Sequence, residues 1–199
     1  LPIDEPMYRD QDHCGEEYDF VSVLICQLCL NAPKASIQFS RLDDVFGAMG
    51  VASDKEDLPI HRGEQGGAGD ILRQLRDRRD ELLDQHDGDV SLPFSGVLEL
   101  IGDRLDLGLV EKRVLMLVIL TGRDQRLTTL FNAIDIHTSH QGIQLLARVL
   151  GMETGETTRA LAANGNLNRL QLVCSFNTVR DLDDLLSPGR VLQELLKLF

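Results

Sequence analysis

Apolar residues cover nearly every side of the helix that "EYDFVSVLICQLCLNAP" (residues 17–33) would form. Asp19 is placed to cap its start and Pro33 to end it. A helix apolar all round belongs in the middle of a domain. Next, "FSRLDDVFGAMGV" offers Ser40 as N-cap, Asp43 and Asp44 for a first turn, and Gly50 as a stop. Residues 53–69, "SDKEDLPIHRGEQGGAG", are glycine-rich and polar and predict a loop. Asp70 then caps "DILRQLRDRRDELLDQH", in which Ile71, Leu72, Leu75, Leu82 and Leu83 make one stripe while Arg and Asp alternate on the other side. A further helix is predicted from Phe94 to Ile101, with a domain boundary between Asp89 and Leu107.

The second half is patterned more sharply. "GLVEKRVLMLVILTG" predicts a buried helix ending at Gly122, and "DQRLTTLFNAI" a short one after it. "TSHQGIQLLARVLG" has Thr138 or Ser139 as cap and turns Ile143, Leu146, Val149 and Leu150 inward. "TGETTRALAANG" follows, with Thr154 as cap and Asn164-Gly165 as stop. In "NLNRLQLV" the leucines nearly alternate, as in a half-buried strand. A break at Ser187-Pro188-Gly189 precedes a closing amphipathic helix. Two helices, a turn and a strand are the outline of a winged helix.

Composition narrows the use of that outline. Aromatic residues make up 5% and Trp is absent, so the interior is packed with Leu, Val and Ile, which suits helices. The net charge is -12, and it is not evenly spread. Residues 1–107 hold 10 Lys and Arg against 23 Asp and Glu, whereas residues 108–176 hold 7 against 5. Phosphate backbones reward surplus Lys and Arg, so a general nucleic-acid binder is disfavoured. The recognition position of the helix pair sharpens this: Glu153 and Glu156 stand at the end that would enter a DNA groove, with Arg159 behind them. The longest apolar stretch, around "LVIL", is about ten residues, against the roughly 20 that a membrane span needs. The four cysteines make no dense framework, and the N-terminus shows no secretory pattern, which points to a reducing cytoplasm.

Candidate chemistry is sparse. Cys26 and Cys29 in "CQLC" have metal-ligand spacing, with His13 and Cys14 the nearest supplements, but a structural zinc needs four ligands. Both cysteines fall on one face of an apolar helix, as buried core thiols do. "HRGEQGGAGD" lacks the Lys of a phosphate loop, and His137 and His140 in "HTSH" flank a helix start, where capping and solvation account for them. No catalytic, cofactor-binding or metal-binding residue is assigned.

The stretches "LGLVEKRVLMLVIL" and "IQLLARVLGMETGETTRALAANGNLNRLQLV" resemble the winged-helix region that precedes the ATPase module in large bacterial AAA-type ATPases. The resemblance rests on Leu107 to Leu120, Leu145 to Leu150, Thr154 to Ala163, and Gly165, Leu167 and Leu172, and covers residues 95–199. It implies that Walker A and B segments lie beyond Phe199 and that the family's ATP-binding positions are absent here. The opening "LPIDEP", without Met, fits a piece of something longer.

The chain is therefore expected to be mostly α: a loose acidic leader (1–17), a helical subdomain (18–92) and a winged-helix subdomain (93–199) made of a helix-turn-helix, a small β wing and a C-terminal helix. The function expected is that of a non-catalytic accessory region, without cofactor, that binds a substrate or partner protein for a motor in the same chain. Its contact surface would be the acidic first half together with Glu153, Glu156, Arg159, Asn166, Asn168 and Arg169. The competing expectation is a transcription regulator that reads DNA with the winged helix.

Overall fold

Val114, Leu115, Met116, Leu117, Val118, Leu120 and Thr121 are all buried on α5 (Leu109–Arg123), which makes this helix the axis of the molecule. The computed structural model describes residues 10–51, 65–86, 95–174 and 182–196. Of the described residues most are helical, and the sheet among them has two strands. None of the described helices is long and apolar enough to cross a membrane.

Before α5 come α1 (Asp10–Asn31), α2 (Asp43–Ala48), α3 (Gln65–Gln85) and α4 (Ser95–Leu105). After it come α6 (Gln125–Ala133), α7 (Ser139–Val149), α8 (Thr154–Leu161), α9 (Asn166–Arg169), α10 (Leu182–Leu185) and α11 (Arg190–Leu196). The all-round apolar character of α1 is explained by its neighbours: it packs on α3, α6 and α7, burying Val21, Leu24, Ile25, Cys26, Leu28 and Cys29. Its partner α3 buries Leu72, Leu75 and Leu82, while Ile71 and Leu83 are half-buried. The two helices run antiparallel, since Asp19 in the middle of α1 meets His86 just past α3 (Nε2 to Oδ2, 3.0 Å), while Cys29 near the end of α1 lies beside Gly69 and Leu72 in the first part of α3. Apolar residues from Val21 to Leu192 belong to one connected core, which crosses the expected boundary at 89–107 without a gap.

A second tie joins the early helices to α6. Arg126 lies with its guanidinium carbon 3.8 Å from the centre of the Tyr18 ring, and the Tyr18 hydroxyl donates to the Ala48 carbonyl of α2 (2.6 Å). Arg126 also donates to Ser22 Oγ (3.2 Å) and to Asp124 (2.7 Å). Farther along, the chain between α6 and α7 bridges back to the segment after α1: Ile37 pairs antiparallel with Ile134, and Asp135 N–H donates to the Ser36 carbonyl (2.8 Å).

Several boundaries differ from expectation. Asp19 lies inside α1, which begins at Asp10, so residues 10–17 of the expected leader are helical and 1–9 fall outside the described residues. Likewise α3 begins at Gln65 and takes in Gly66, Gly67 and Gly69 of the expected loop, whose residues 53–64 lie outside the described residues. Ser40 lies in a short 3-10 turn, and the residue before α2 is Leu42. Glu153 rather than Thr154 is the cap position of α8.

The largest correction concerns "NLNRLQLV". Residues 166–169 form a helical turn, α9, and only Val173–Cys174 (β1) is a strand, paired antiparallel with Ser187–Pro188 (β2). Leu170 and Leu172 are two apart, as one face of a strand requires, whereas Leu167 and Leu170 are three apart, which one helical turn puts on the same side and a strand would put on opposite faces. What decides is capping: Asn168 Nδ2 donates to the Leu161 and Ala162 carbonyls (3.2 and 3.0 Å) at the end of α8, and Leu172 N–H closes on the Leu167 carbonyl (2.9 Å). Gln171 turns the chain there with φ of 54°, a left-handed conformation uncommon for a residue with a side chain. The expected break at Ser187 to Gly189 is thus partly the second strand. Gly189 is needed where it stands, because a Cβ would run into the Gln171 carbonyl.

Candidate functional site

The helix pair that the sequence singled out is fixed at three points. Thr138 Oγ1 accepts from Gln141 N–H (3.2 Å) and starts α7. At the other end Gly151, with φ of 62°, turns the chain while Met152 N–H bonds back to the Ala147 carbonyl (2.8 Å). From α5, Arg113 donates to the Leu150 carbonyl (2.8 Å), so the turn between the helices is held to the axis by a charged hydrogen bond. α8 then seats Thr157, Ala160 and Leu161 in the core and leaves Glu156, Thr158 and Arg159 outside.

Glu153, Glu156 and Arg159 follow at three-residue steps and share one exposed stripe. The two acids lie at the N-terminus of α8 and the Arg in its last turn, an order that complements the helix dipole. The Arg159 guanidinium makes no ion pair with either acid; its Nε donates weakly to the Gly155 carbonyl (3.4 Å). Asn168 is spent on capping α8, Asn166 is half-buried at the start of α9, and Arg169 is exposed at its end. The structure therefore brings Glu153, Glu156 and Arg159 together on one helix, while the residues of α9 serve mainly to close that helix.

A groove that the sequence did not reveal runs beside α7. It has a volume of about 300 Å³ and is lined by Asn31 and Pro33 from the end of α1 and just past it, Asp135 and His137 from the link between α6 and α7, and Gln144 and Arg148 from α7. Gln38 Nε2 donates to Asp135 Oδ2 (2.8 Å), and His137 N–H donates to Gln141 Oε1 (3.1 Å). His140, the other histidine of "HTSH", meets Gln144 through its Nε2 (2.9 Å). A guanidinium, an imidazole and amides can grip a polar ligand, but the carboxylate is already engaged by Gln38. The groove depends on residues 97 positions apart, which no local pattern reports. Its one sequence signal was the polar "DIH" between two amphipathic helices.

A smaller concavity of about 200 Å³ lies at the end of α1, where Lys34, Arg73 and Arg76 rise around Cys29, Ala32 and Leu72. Cys29 and its neighbour Cys26 face α3 from inside the core. Burial pushes the Cys26 thiol up to about 12, against the opposing pull of Arg79 and Arg78, and pushes Cys29 higher still. Thiols so placed are poor nucleophiles and poor metal ligands. Among the described residues no group of three or more His, Cys, Asp or Glu is arranged to hold a metal ion.

Two further charges are set by their partners. Lys112 lays its chain across Gly102 and donates to Glu99 Oε2 (2.6 Å) and Asp103 Oδ1 (3.0 Å), and these bonds, Glu99 first, hold its ammonium above the usual range. For Asp124, burial pushes the carboxyl up, but the side-chain and backbone bonds from Arg126 outweigh it and hold the group below the usual carboxylate range.

No protein-family model, curated protein or solved structure matches the chain.

Proposed function

We propose that the chain is a non-catalytic accessory region of a bacterial, cytoplasmic AAA-type ATPase, binding a substrate or partner protein for a motor module in the same chain. In this reading α5, α7, α8 and the β1–β2 ladder make a winged-helix-type module, with the earlier helices packed behind it. The observation that carries the reading is the outer stripe of α8: the turn that leads into the helix is tied to α5 by Arg113, the stripe itself is exposed, and it presents Glu153 and Glu156 where a DNA reader would present cations. Phosphates would be repelled there, and a protein surface with basic groups would not.

Two measurements test the proposal. The coding sequence beyond Phe199 is expected to encode a strand followed by GxxxxGK[ST], the phosphate loop of an ATPase. A stop directly after Phe199 would sink the idea. The chain alone is expected to hydrolyse no ATP, and robust turnover by it would equally overturn the reading. A gel shift with a random DNA pool at low salt addresses the regulator: binding in the micromolar range or tighter that weakens steeply with salt would favour DNA instead.

A further inference from the structure

The first 107 residues carry 23 acidic against 10 basic residues, so a place where cations outnumber acids stands out. Lys34, Arg73 and Arg76 form such a place around the concavity at the end of α1. Lys34 and Arg76 are exposed and make neither ion pair nor side-chain hydrogen bond among the described residues. Arg73 has one partner, Asp70 at 2.8 Å, in a pair whose side chains are 68% and 62% exposed. A pair so open to water binds its members weakly and can yield to a competing carboxylate.

The arginines farther along α3 are treated differently. Arg78 and Arg79 are half-buried and pair with Glu81 and Asp80 at 2.6 Å each. The chain thus neutralises the cations it covers and leaves open those at the concavity. Helix dipoles do not account for the cluster. The end of α1 brings about half a negative charge and the start of the antiparallel α3 about half a positive one, so the two nearly cancel. Three cations and the single Asp70 remain, around a concavity that Cys29, Ala32 and Leu72 also line.

We propose that this concavity is a docking site for a short acidic segment of a partner protein, its carboxylates held by Lys34, Arg73 and Arg76. The partner is a short segment rather than a long polyanion because the body around the site carries a net charge of -12, which repels an extended phosphate backbone. An apolar side chain between the carboxylates would rest on Leu72 and Ala32. The inference deepens the partner-binding reading above by naming the chemistry of one partner, and its test is independent of whether an ATPase module follows.

The experiment uses the full chain and a fluorescein-labelled peptide of alternating Asp and Glu, followed by anisotropy at low salt and then at rising salt. Saturable binding that weakens with salt is expected. The double reversal Lys34→Glu/Arg76→Glu should weaken it at least about ten-fold, while the matched reversal Arg104→Glu/Arg190→Glu, at exposed sites elsewhere, should leave it within about two-fold. Circular dichroism of both variants checks that they fold, and all four positions are exposed. Absence of binding by the parent, equal losses in the two variants, or equally tight binding of a single-stranded oligonucleotide of the same charge would each overturn the proposal. None of these outcomes alters the prediction for the sequence beyond Phe199, so the two readings fail separately.

Discussion

Gly102 and Gly189 are both places where a methyl group would collide, and they are not equivalent. At Gly102 the obstacle is the Lys112 side chain, whose Cε occupies the space a Cβ would need. That chain can swing away into water, giving up only exposed pairs with Glu99 and Asp103, while Ala regains up to about 1 kcal/mol of helix propensity. Gly102→Ala is expected to change stability by less than about 1 kcal/mol. At Gly189 the obstacle is the Gln171 carbonyl, backbone that cannot move without giving up its bond from Val191 N–H, and Gly189→Ala should cost about 2–3 kcal/mol. Urea midpoints of the two variants measure the contrast. Asp124 supplies a pH dependence. Its carboxyl is held below the ordinary value of about 3.9, so the stabilisation is complete above that pH and is lost as the pH falls through the lower folded value. The stability gap between the parent and Asp124→Asn should therefore be widest near neutrality and close as the pH drops below the ordinary carboxylate range.

At the scale of elements, the helices with a strong stripe or a side-chain cap were legible. α6 begins at the expected Asp124, α7 at Thr138, and α5 spans its predicted run. The misread stretches share a physical cause: their local pattern fitted two structures, and a distant or neighbouring group chose between them. Asn168 chose the turn of α9 by capping α8, and α1 runs on before Asp19, where a cap residue could have begun it, with Tyr18 held by Arg126 of α6 and the Ala48 carbonyl of α2. The α8 stripe was readable because helical spacing alone places Glu153, Glu156 and Arg159. The groove beside α7 was not, because its two walls meet only after the chain has folded between Gln38 and Asp135. The turn between α7 and α8 offers a direct test of how elements hold one another. Arg113→Ala removes the donor to the Leu150 carbonyl, and a loss of about 1–3 kcal/mol in denaturant titrations is expected. A loss below a few tenths would mean that Gly151 and the core hold the turn without it.

For the whole molecule, the connected core predicts that the early and late helices lose structure together. With Tyr8→Phe leaving Tyr18 as the single tyrosine, Tyr18, stacked under Arg126, reports on the junction of α1, α2 and α6, and far-ultraviolet circular dichroism reports on all the helices. Coincident urea curves from the two signals are expected, whereas a separate Tyr transition would mean that residues 18–92 unfold on their own. The same connectedness gives the short ladder a mechanical meaning. α11 is stitched to the body where Gly189 N–H meets the Leu172 carbonyl (2.9 Å) and Val191 N–H meets the Gln171 carbonyl (3.1 Å), and β2 rests directly on α5. A tug applied to α11 would meet this backbone seam first and, through it, load the buried axis of the protein, making a pair of two-residue strands the coupling through which force enters the fold.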